Sequence, residues 1–212
     1  RSDLKWCPRS DLGLVASYGK IIPKEILDLP THGTLNIHPS LLPAYRGATP
    51  IQSAILHGLV ESGVSLMLLD PELDHGPIIK ASSYQLVGTS FWEARKAMAK
   101  IGAKLFLDNA SRWVAGKIKA SPQNHRLATY TKKINKKAGK INLADSPELN
   151  YRKFLAYQGW PNSYFFTERN GKKIRVIITV AQVIDNKFVI ERVKPEGKKD
   201  MLYSDFQRGF KF

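Results

Sequence analysis

Short apolar runs alternate with helix-like patterns over residues 1–117. Thr49 and Pro50 provide an N-cap and a first-turn proline for a helix that reaches Leu56, where Gly58 can end it. Strands that alternate with helices are typical of a parallel α/β sheet, which we therefore expect in this part of the chain. The three predicted strands, each rich in apolar and β-branched side chains, are residues 12–17, 34–38 and 64–69.

The apolar pattern changes near residue 117. Ser90 and Glu93 have the spacing of a capping box, and apolar residues then recur on one helical face, which predicts a helix to about Lys117. A polar, proline-bearing stretch follows, so we predict a linker at residues 118–133. Beyond it, Ser146 and Pro147 open a second helical pattern. The β-branched runs 174–184 and 188–193, with Asp185-Asn186 as a turn signal between them, predict a small β-rich module.

Basic residues are concentrated at the C-terminal end. The chain has 33 Lys and Arg against 18 Asp and Glu, a net charge of +15. Residues 132–212 hold 18 basic and 8 acidic side chains, which is +10 of that total. Such an excess accompanies either a polyanionic partner or a solvated lysine-rich surface, and charge alone does not separate the two.

Composition also bears on the compartment. Cys7 is the only cysteine, which excludes a disulfide within the chain and fits a reducing environment. No apolar run approaches the roughly 18 residues of a membrane span, and residues 1–6 lack the apolar core of a secretory signal. We therefore expect a cytoplasmic protein without membrane attachment, with an organellar matrix as the alternative.

An amide and an imidazole lie two residues apart in the second predicted strand. Residues at this spacing project to the same face, so Asn36 and His38 can point together beyond the strand end. Acyl transfer needs a donor for the oxygen that gains negative charge and a base for the attacking amine. The pair could serve both needs, although a lone histidine near a strand end is more often structural.

An acidic turn, residues 70–77, follows the third predicted strand. Loops at strand ends of α/β sheets commonly bind ligands, so this turn could meet His38. A carboxylate there would orient the ring and favour its protonated form. We select Asp74 for this role and interpret Asp70 and Glu72, from the pattern alone, as solvated.

Taken together, these motifs resemble the folate-dependent formyltransferases. The resemblance rests on Asn36-x-His38, Ser40-Leu41-Leu42-Pro43, Arg46-Gly47 and Leu73-Asp74-x-Gly76, with 36 residues from His38 to Asp74. Further segments are similar to the methionyl-tRNA formyltransferase branch of that family. They are residues 15–23, 47–52, 158–161 and 194–201.

The resemblance implies a Rossmann-like catalytic domain with a parallel sheet at residues 1–117, the linker 118–133, and a small β-rich, OB-like, tRNA-binding domain at 134–212. Family members begin with a further βαβ unit, so we expect the catalytic domain to be N-terminally incomplete and leave open whether this chain is active alone. The implied donor is 10-formyltetrahydrofolate, the acceptor is initiator methionyl-tRNA, no metal is needed, and a monomer is expected.

The resemblance also assigns site residues. It makes Asn36, His38 and Asp74 catalytic. The folate-binding residues would be Lys20, Ile21, Ile22, Asp70, Leu73 and Asp74. The acceptor-binding residues would be Ser40, Leu41, Leu42, Pro43, Arg46, Gly47, Lys132, Lys133, Lys136 and Lys137.

Two alternatives stay open. A sugar-nucleotide N-formyltransferase would keep the catalytic residues and change the amine, but the +10 C-terminal region favours a polyanionic acceptor. A remnant that binds tRNA or folate without catalysis is the other. His75 stands where the family often has a small residue, and it could perturb Asp74 or the folate site.

Overall fold

The computed structural model describes residues 10–20, 22–169 and 171–209, with Arg169 described in its backbone alone. Cys7, Ile21 and Asn170 lie outside the described residues. The chain forms two compact units. The first comprises Arg1–Ala54, Leu59–Val87 and Glu93–Lys133, and the second comprises Ile55–Gly58, Gly88–Trp92 and Ile134–Phe212. Residues 118–133, predicted as a linker, are counted with the first unit, and the domain boundaries stay predictions.

A four-stranded mixed sheet forms the centre of the first unit. Its strands, in the order β1-β2-β3-β4, are β1 Gly13–Ala16, β2 Thr34–His38, β3 Glu61–Leu68 and β4 Ile78–Gln85. The three predicted strands are present. Among the described strands of this sheet, only β1 and β2 pair in parallel, while β3 is antiparallel to both β2 and β4. The expectation of a parallel sheet was therefore wrong for β3, and β4 was not predicted. The connection from β3 to β4, residues 69–77, is shorter than the dozen or more residues that a parallel crossover needs.

Three helices accompany this sheet. They are α1 Lys24–Leu27, α2 Pro50–Leu56 and α3 Phe91–Val114, so α2 has its predicted bounds and α3 ends three residues early. Ile37 points to α3, because a Cβ placed on Gly102 would lie 2.3 Å from its Cγ2. The strand alternation therefore turns Asn36 and His38 to the other face of β2. Among the described helices, none combines the length and apolarity of a membrane span.

The second unit contains an antiparallel sheet. Ser146 caps α4 Pro147–Ala156 by accepting a hydrogen bond from the backbone N–H of Leu149 at 3.2 Å. Asp185 and Asn186 both have positive φ, as a two-residue hairpin turn requires. The strands are β5 Tyr164–Arg169, β6 Lys172–Ile184, β7 Lys187–Pro195 and β8 Met201–Leu202, followed by α5 Tyr203–Gly209. The small β-rich module is thus present, with β5, β8 and α5 added to the predicted elements.

Candidate active site

Asn36, His38 and Asp74 line one cleft in the first unit. The cleft has a volume of about 560 Å³. The Asn36 residue is 9% exposed and the His38 residue 4%, so both side chains are largely removed from water. The two come from β2, whereas Asp74 comes from the connection between β3 and β4. An amide, an imidazole and a carboxylate therefore converge on a single space large enough for a small molecule.

The hydrogen bonds of His38 define its tautomer. Nε2 lies 3.0 Å from the carbonyl oxygen of Tyr45, and because a carbonyl can only accept, Nε2 carries the proton. In the neutral ring Nδ1 is then the unprotonated nitrogen, and it lies 3.6 Å from Oδ1 of Asp74. A proton taken up at Nδ1 would come to rest beside a carboxylate.

Burial lowers the pKa of His38 from its ordinary value of 6.5. The charge of Asp74 and the hydrogen bond to Tyr45 act in the opposite direction, while the Arg46 guanidinium lowers the pKa further. Because burial dominates, the ring is neutral at pH 7 and can accept a proton. The nearby carboxylate stabilises the charged ring once it forms.

This lowered pKa predicts a pH-dependent stability. Below pH 6.5 the unfolded chain binds a proton at His38 that the folded chain resists, so the free energy of unfolding falls as the pH drops toward the folded pKa. A His38→Gln variant lacks this contribution. Urea unfolding of parent and variant between pH 5 and 8 measures the difference in the free energy of unfolding. This difference should be constant above pH 6.5, and below that pH the parent should lose stability relative to the variant. A difference independent of pH would contradict the lowered pKa.

The turn that carries Asp74 is held by several contacts. Asp74 has φ of 47°, a left-handed conformation that is costly for a non-glycine residue. Its Oδ2 accepts a hydrogen bond from the backbone N–H of Gly47 at 2.7 Å. Asp70 pairs with Nδ1 of His75 at 2.6 Å, and the His75 ring stacks on His125 at 3.9 Å between centroids. Asp70 is therefore paired as well as partly exposed, and His75 is not among the residues lining the cleft.

The residues predicted to bind folate lie together where they are described. Lys20, Ile22, Asp70 and Leu73 all line the cleft with Asp74. Ile21 lies outside the described residues. Val15 from β1 and Leu27 from α1 add apolar side chains to this wall, so the cleft combines apolar surface with charged and polar residues.

The residues predicted to bind the acceptor are more dispersed. Gly47 and Lys133 line the cleft, whereas Ser40, Leu41, Leu42, Pro43 and Arg46 are not among its lining residues. Ser40 is fully buried, and its hydroxyl donates to the carbonyl of Ala44 at 2.6 Å. Arg46 is 1% exposed. Lys132, Lys136 and Lys137 are exposed at the surface.

Two polar residues of the site were not found from the sequence. Gln123 is buried and donates to the carbonyls of Asp74 and Gly76, and Thr131 lines the cleft. Both lie in the stretch interpreted as a linker, where isolated polar residues carry no periodic signal. Only the contacts of the folded chain distinguish them from surface residues.

Comparison with known proteins agrees with this geometry. A family model described as formyl transferase matches residues 8–103. A methionyl-tRNA formyltransferase of Chloroflexus aurantiacus is 40% identical over 79% of this chain and 54% of its own length. One of Thermus thermophilus is 36% identical over 94% of this chain and 71% of its own length. The chain thus spans about half of the first relative and 71% of the second.

A solved structure supports the fold. HypX from Aquifex aeolicus, in complex with tetrahydrofolic acid, superposes with a TM-score of 0.70 at 18% identity, covering 93% of this chain and 38% of HypX. Together with the family model, this confirms the expected Rossmann-like formyltransferase fold with a small β-rich module after it. The identity to the Thermus thermophilus relative, over most of both chains, decides the family. The chain belongs to the methionyl-tRNA formyltransferases of the formyl transferase family.

Proposed function

We propose that this chain carries a site that transfers a formyl group from 10-formyltetrahydrofolate to the amino group of methionine on initiator tRNA, giving formylmethionyl-tRNA. The observation that carries the proposal is the His38–Asp74 pair, which shares a cleft of about 560 Å³ with Asn36. Relatives at 36% and 40% identity are methionyl-tRNA formyltransferases, which supports this acceptor over an amino sugar.

The donor fits the cleft by size and by chemistry. Small-molecule sites measure about 300–1,000 Å³ and combine apolar walls with a few polar groups, as this cleft does. The donor supplies the formyl group. We infer that it is held by the residues predicted for folate, which are Lys20, Ile21, Ile22, Asp70, Leu73 and Asp74.

Asn36 would stabilise the charge that develops on the formyl oxygen. When an amine attacks a formyl carbon, the carbonyl oxygen gains negative charge, and a fixed N–H donor lowers the energy of that state. The Asn36 side chain is 9% exposed, so few waters compete with it for the oxygen. Its amide is therefore a donor whose effect water does not strongly weaken.

His38 and Asp74 would manage the proton. The neutral ring offers Nδ1 as an acceptor for a proton of the attacking amine. When the tetrahedral intermediate collapses and the bond between the formyl carbon and the donor nitrogen breaks, the positively charged ring would return this proton to the nitrogen of the departing tetrahydrofolate. Asp74, at 3.6 Å, stabilises that charge and holds the ring through the proton transfer. Because burial keeps the His38 ring neutral at pH 7, the pair can accept a proton at neutral pH.

The loop that precedes α2 would shape the acceptor side of the site. Its buried members, Ser40, Leu42 and Arg46, are held by hydrogen bonds or packing, whereas Gly47 lines the cleft. We infer that Ser40, Leu41, Leu42, Pro43 and Arg46 contribute to acceptor binding by fixing the loop conformation. The tRNA acceptor would locate the reaction in the cytoplasm or an organellar matrix, and we propose a monomer.

The proposal is tested by assaying the purified chain, with the Thermus thermophilus relative in parallel. Each is incubated with 10-formyltetrahydrofolate and either methionyl-initiator tRNA or an amino-sugar nucleotide. Formylmethionine on tRNA is the expected product. Binding of the folate donor to the chain is measured separately by calorimetry. Formylation of the sugar without formylation of tRNA, or absence of folate binding, would overturn the proposal.

A salt-dependent prediction concerns three exposed lysines at positions 132–137 of the chain. Lys132, Lys136 and Lys137 are exposed, and if they contact phosphates, they supply affinity for tRNA without reading its sequence. Changing all three to glutamine should weaken tRNA binding and flatten the slope of log affinity against log salt by up to about 0.9 per lost contact. Filter binding between 50 and 300 mM salt measures both quantities.

The control removes the same charge elsewhere. Lys96, Lys100 and Lys119 are also exposed, and their triple glutamine variant should keep the parent slope. Lys133 is left unchanged because it lines the cleft, where its loss would affect folate binding as well. Equal slopes for the parent and both triple variants would mean that the three lysines form only a solvated surface.

A further inference from the structure

Gln123 is a buried residue whose side-chain amide both donates and accepts hydrogen bonds. It is 6% exposed and follows α3 in the first unit. Its Nε2 donates to two backbone carbonyls, that of Asp74 at 2.9 Å and that of Gly76 at 2.7 Å. Its Oε1 accepts from Nη2 of Arg46 at 2.6 Å. A guanidinium only donates and a carbonyl only accepts, so the orientation of this amide is fixed by its partners.

Arg46, which donates to Gln123, lies between two residues that bind His38 and Asp74. Arg46 is 1% exposed, and its Nη2 also lies 2.9 Å from Nδ1 of His125. Its neighbour Tyr45 accepts the Nε2 hydrogen bond of His38, and its other neighbour Gly47 donates to Asp74. Residues 45–47 therefore contact both members of the His38–Asp74 pair.

Gln123 thus links the two segments between which the pair is held. The turn of Asp74 is tied to Gln123 by two hydrogen bonds, and the loop of Tyr45 and Gly47 is tied to it through Arg46. The left-handed backbone of Asp74 needs such restraint, since a residue with φ of 47° relaxes when its partners are lost.

We propose that Gln123 is a positioning residue, which sets the distance between His38 and Asp74 without touching the substrate. This proposal rests on the proposed function for its kinetic test. Neither the acyl-transfer chemistry nor the sequence pattern points to Gln123, because its effect passes through the backbone of the turn and through Arg46. Substitution of Gln123 should therefore lower kcat only in a protein that still carries the Asp74 carboxylate, because the substitution acts by displacing that group.

The main test uses Gln123→Glu, which keeps an acceptor for Arg46 but removes both donors to the turn. Misplacement of a catalytic group by about 1 Å can cost on the order of 100-fold, so we expect kcat for formyl transfer to fall about 10- to 100-fold. In an Asp74→Asn background the same substitution should cost less than about 3-fold, because the two changes act on one unit. Equal losses in both backgrounds would overturn the proposal. The substitutions are made in this chain.

A second measurement does not depend on turnover. Gln123→Met removes all three hydrogen bonds without adding charge, and NMR titration of the His38 ring then reports the loss of the nearby Asp74 charge. The titration midpoint should move further down than in the parent, since that charge raises the pKa of His38. An unchanged midpoint would overturn the proposal. Absence of formyl transfer by the parent protein would instead contradict the proposed function and leave this readout valid.

A neighbouring residue gives the matched control. Asn124 accepts a hydrogen bond from the backbone N–H of Arg126 at 3.2 Å and is exposed, so Asn124→Ala disturbs the same segment. Its side-chain hydrogen bond reaches neither the Asp74 turn nor Arg46. Because surface substitutions usually have small effects, Asn124→Ala should keep kcat within about 2-fold of the parent. For the same reason, the titration midpoint of His38 should stay within about 0.2 pH units of the parent value. If Asn124→Ala lowered kcat and the His38 midpoint as much as Gln123→Met does, disturbance of the segment, and not loss of the Gln123 amide, would be responsible.

Discussion

Replacing His38 by alanine is expected to lower the rate constant of formyl transfer by about 100- to 10,000-fold, the usual contribution of a general acid-base group. The proposed base is Nδ1, the unprotonated nitrogen of the neutral ring, which lies beside Asp74. Among the described residues that line the cleft, no second histidine could replace it. Asn36→Asp, which keeps the size of the side chain but removes its donor, should cost about 100- to 1,000-fold. Single-turnover formylation of methionyl-tRNA measures both variants.

The control for these variants is a histidine of the same unit. His32 does not line the cleft, so His32→Ala should change the rate constant by less than about 3-fold. Folate binding, measured by calorimetry, should persist in all three variants because the apolar wall of the cleft is unaltered. A His38→Ala protein within about 5-fold of the parent rate would remove His38 from the proposed mechanism.

The second large effect is expected from Gly76→Ala. A Cβ at this position would lie 2.0 Å from the carbonyl oxygen of Leu68, which is backbone of β3 and cannot move aside as a side chain can. We expect the free energy of unfolding to fall by about 3 kcal/mol, the upper end of the usual cost of overpacking. The displaced turn also carries Asp74, so transfer should fall together with stability. Urea unfolding and single-turnover assays measure the two effects.

Gly209→Ala provides the comparison for this substitution. Among the described residues, and apart from its chain neighbours and the backbone of its own helix, a Cβ there meets no atom within 4 Å. The residue lies at the end of α5 in the second unit. Its stability and activity should equal those of the parent. If Gly76→Ala were as stable as Gly209→Ala, the close approach of the turn to β3 would be disproved.

Several elements could be predicted from the sequence because their signals are local. The bounds of β2 and α2, the Ser146 cap of α4 and the Asp185-Asn186 turn all follow from residues that act on their own backbone or the next few positions. Strand alternation likewise places Asn36 and His38 on one face without any knowledge of the partners of β2. The positions most informative about function were therefore readable along the chain.

Strand direction was decided only by the tertiary structure. β3 is buried on both faces, a pattern typical of parallel strands, yet it pairs antiparallel with β2 and β4, so burial alone did not decide its direction. The polar, serine-rich β4 has no clear apolar alternation, and it is recognised only by its pairing with β3. Pairing depends on residues distant along the chain, so neither result could be obtained from a local pattern.

The supporting contacts of the site were decided in the same way. The sequence alone singled out Asn36, His38 and Asp74 by residue type and spacing, because the chemistry requires those types. It did not single out Gln123. The guanidinium of Arg46, which the resemblance assigned to acceptor binding, is buried against Gln123 and His125. A buried polar side chain takes its role from the partners that satisfy it. Those partners, 77 to 79 residues from Arg46 along the chain, meet it only when the first unit folds.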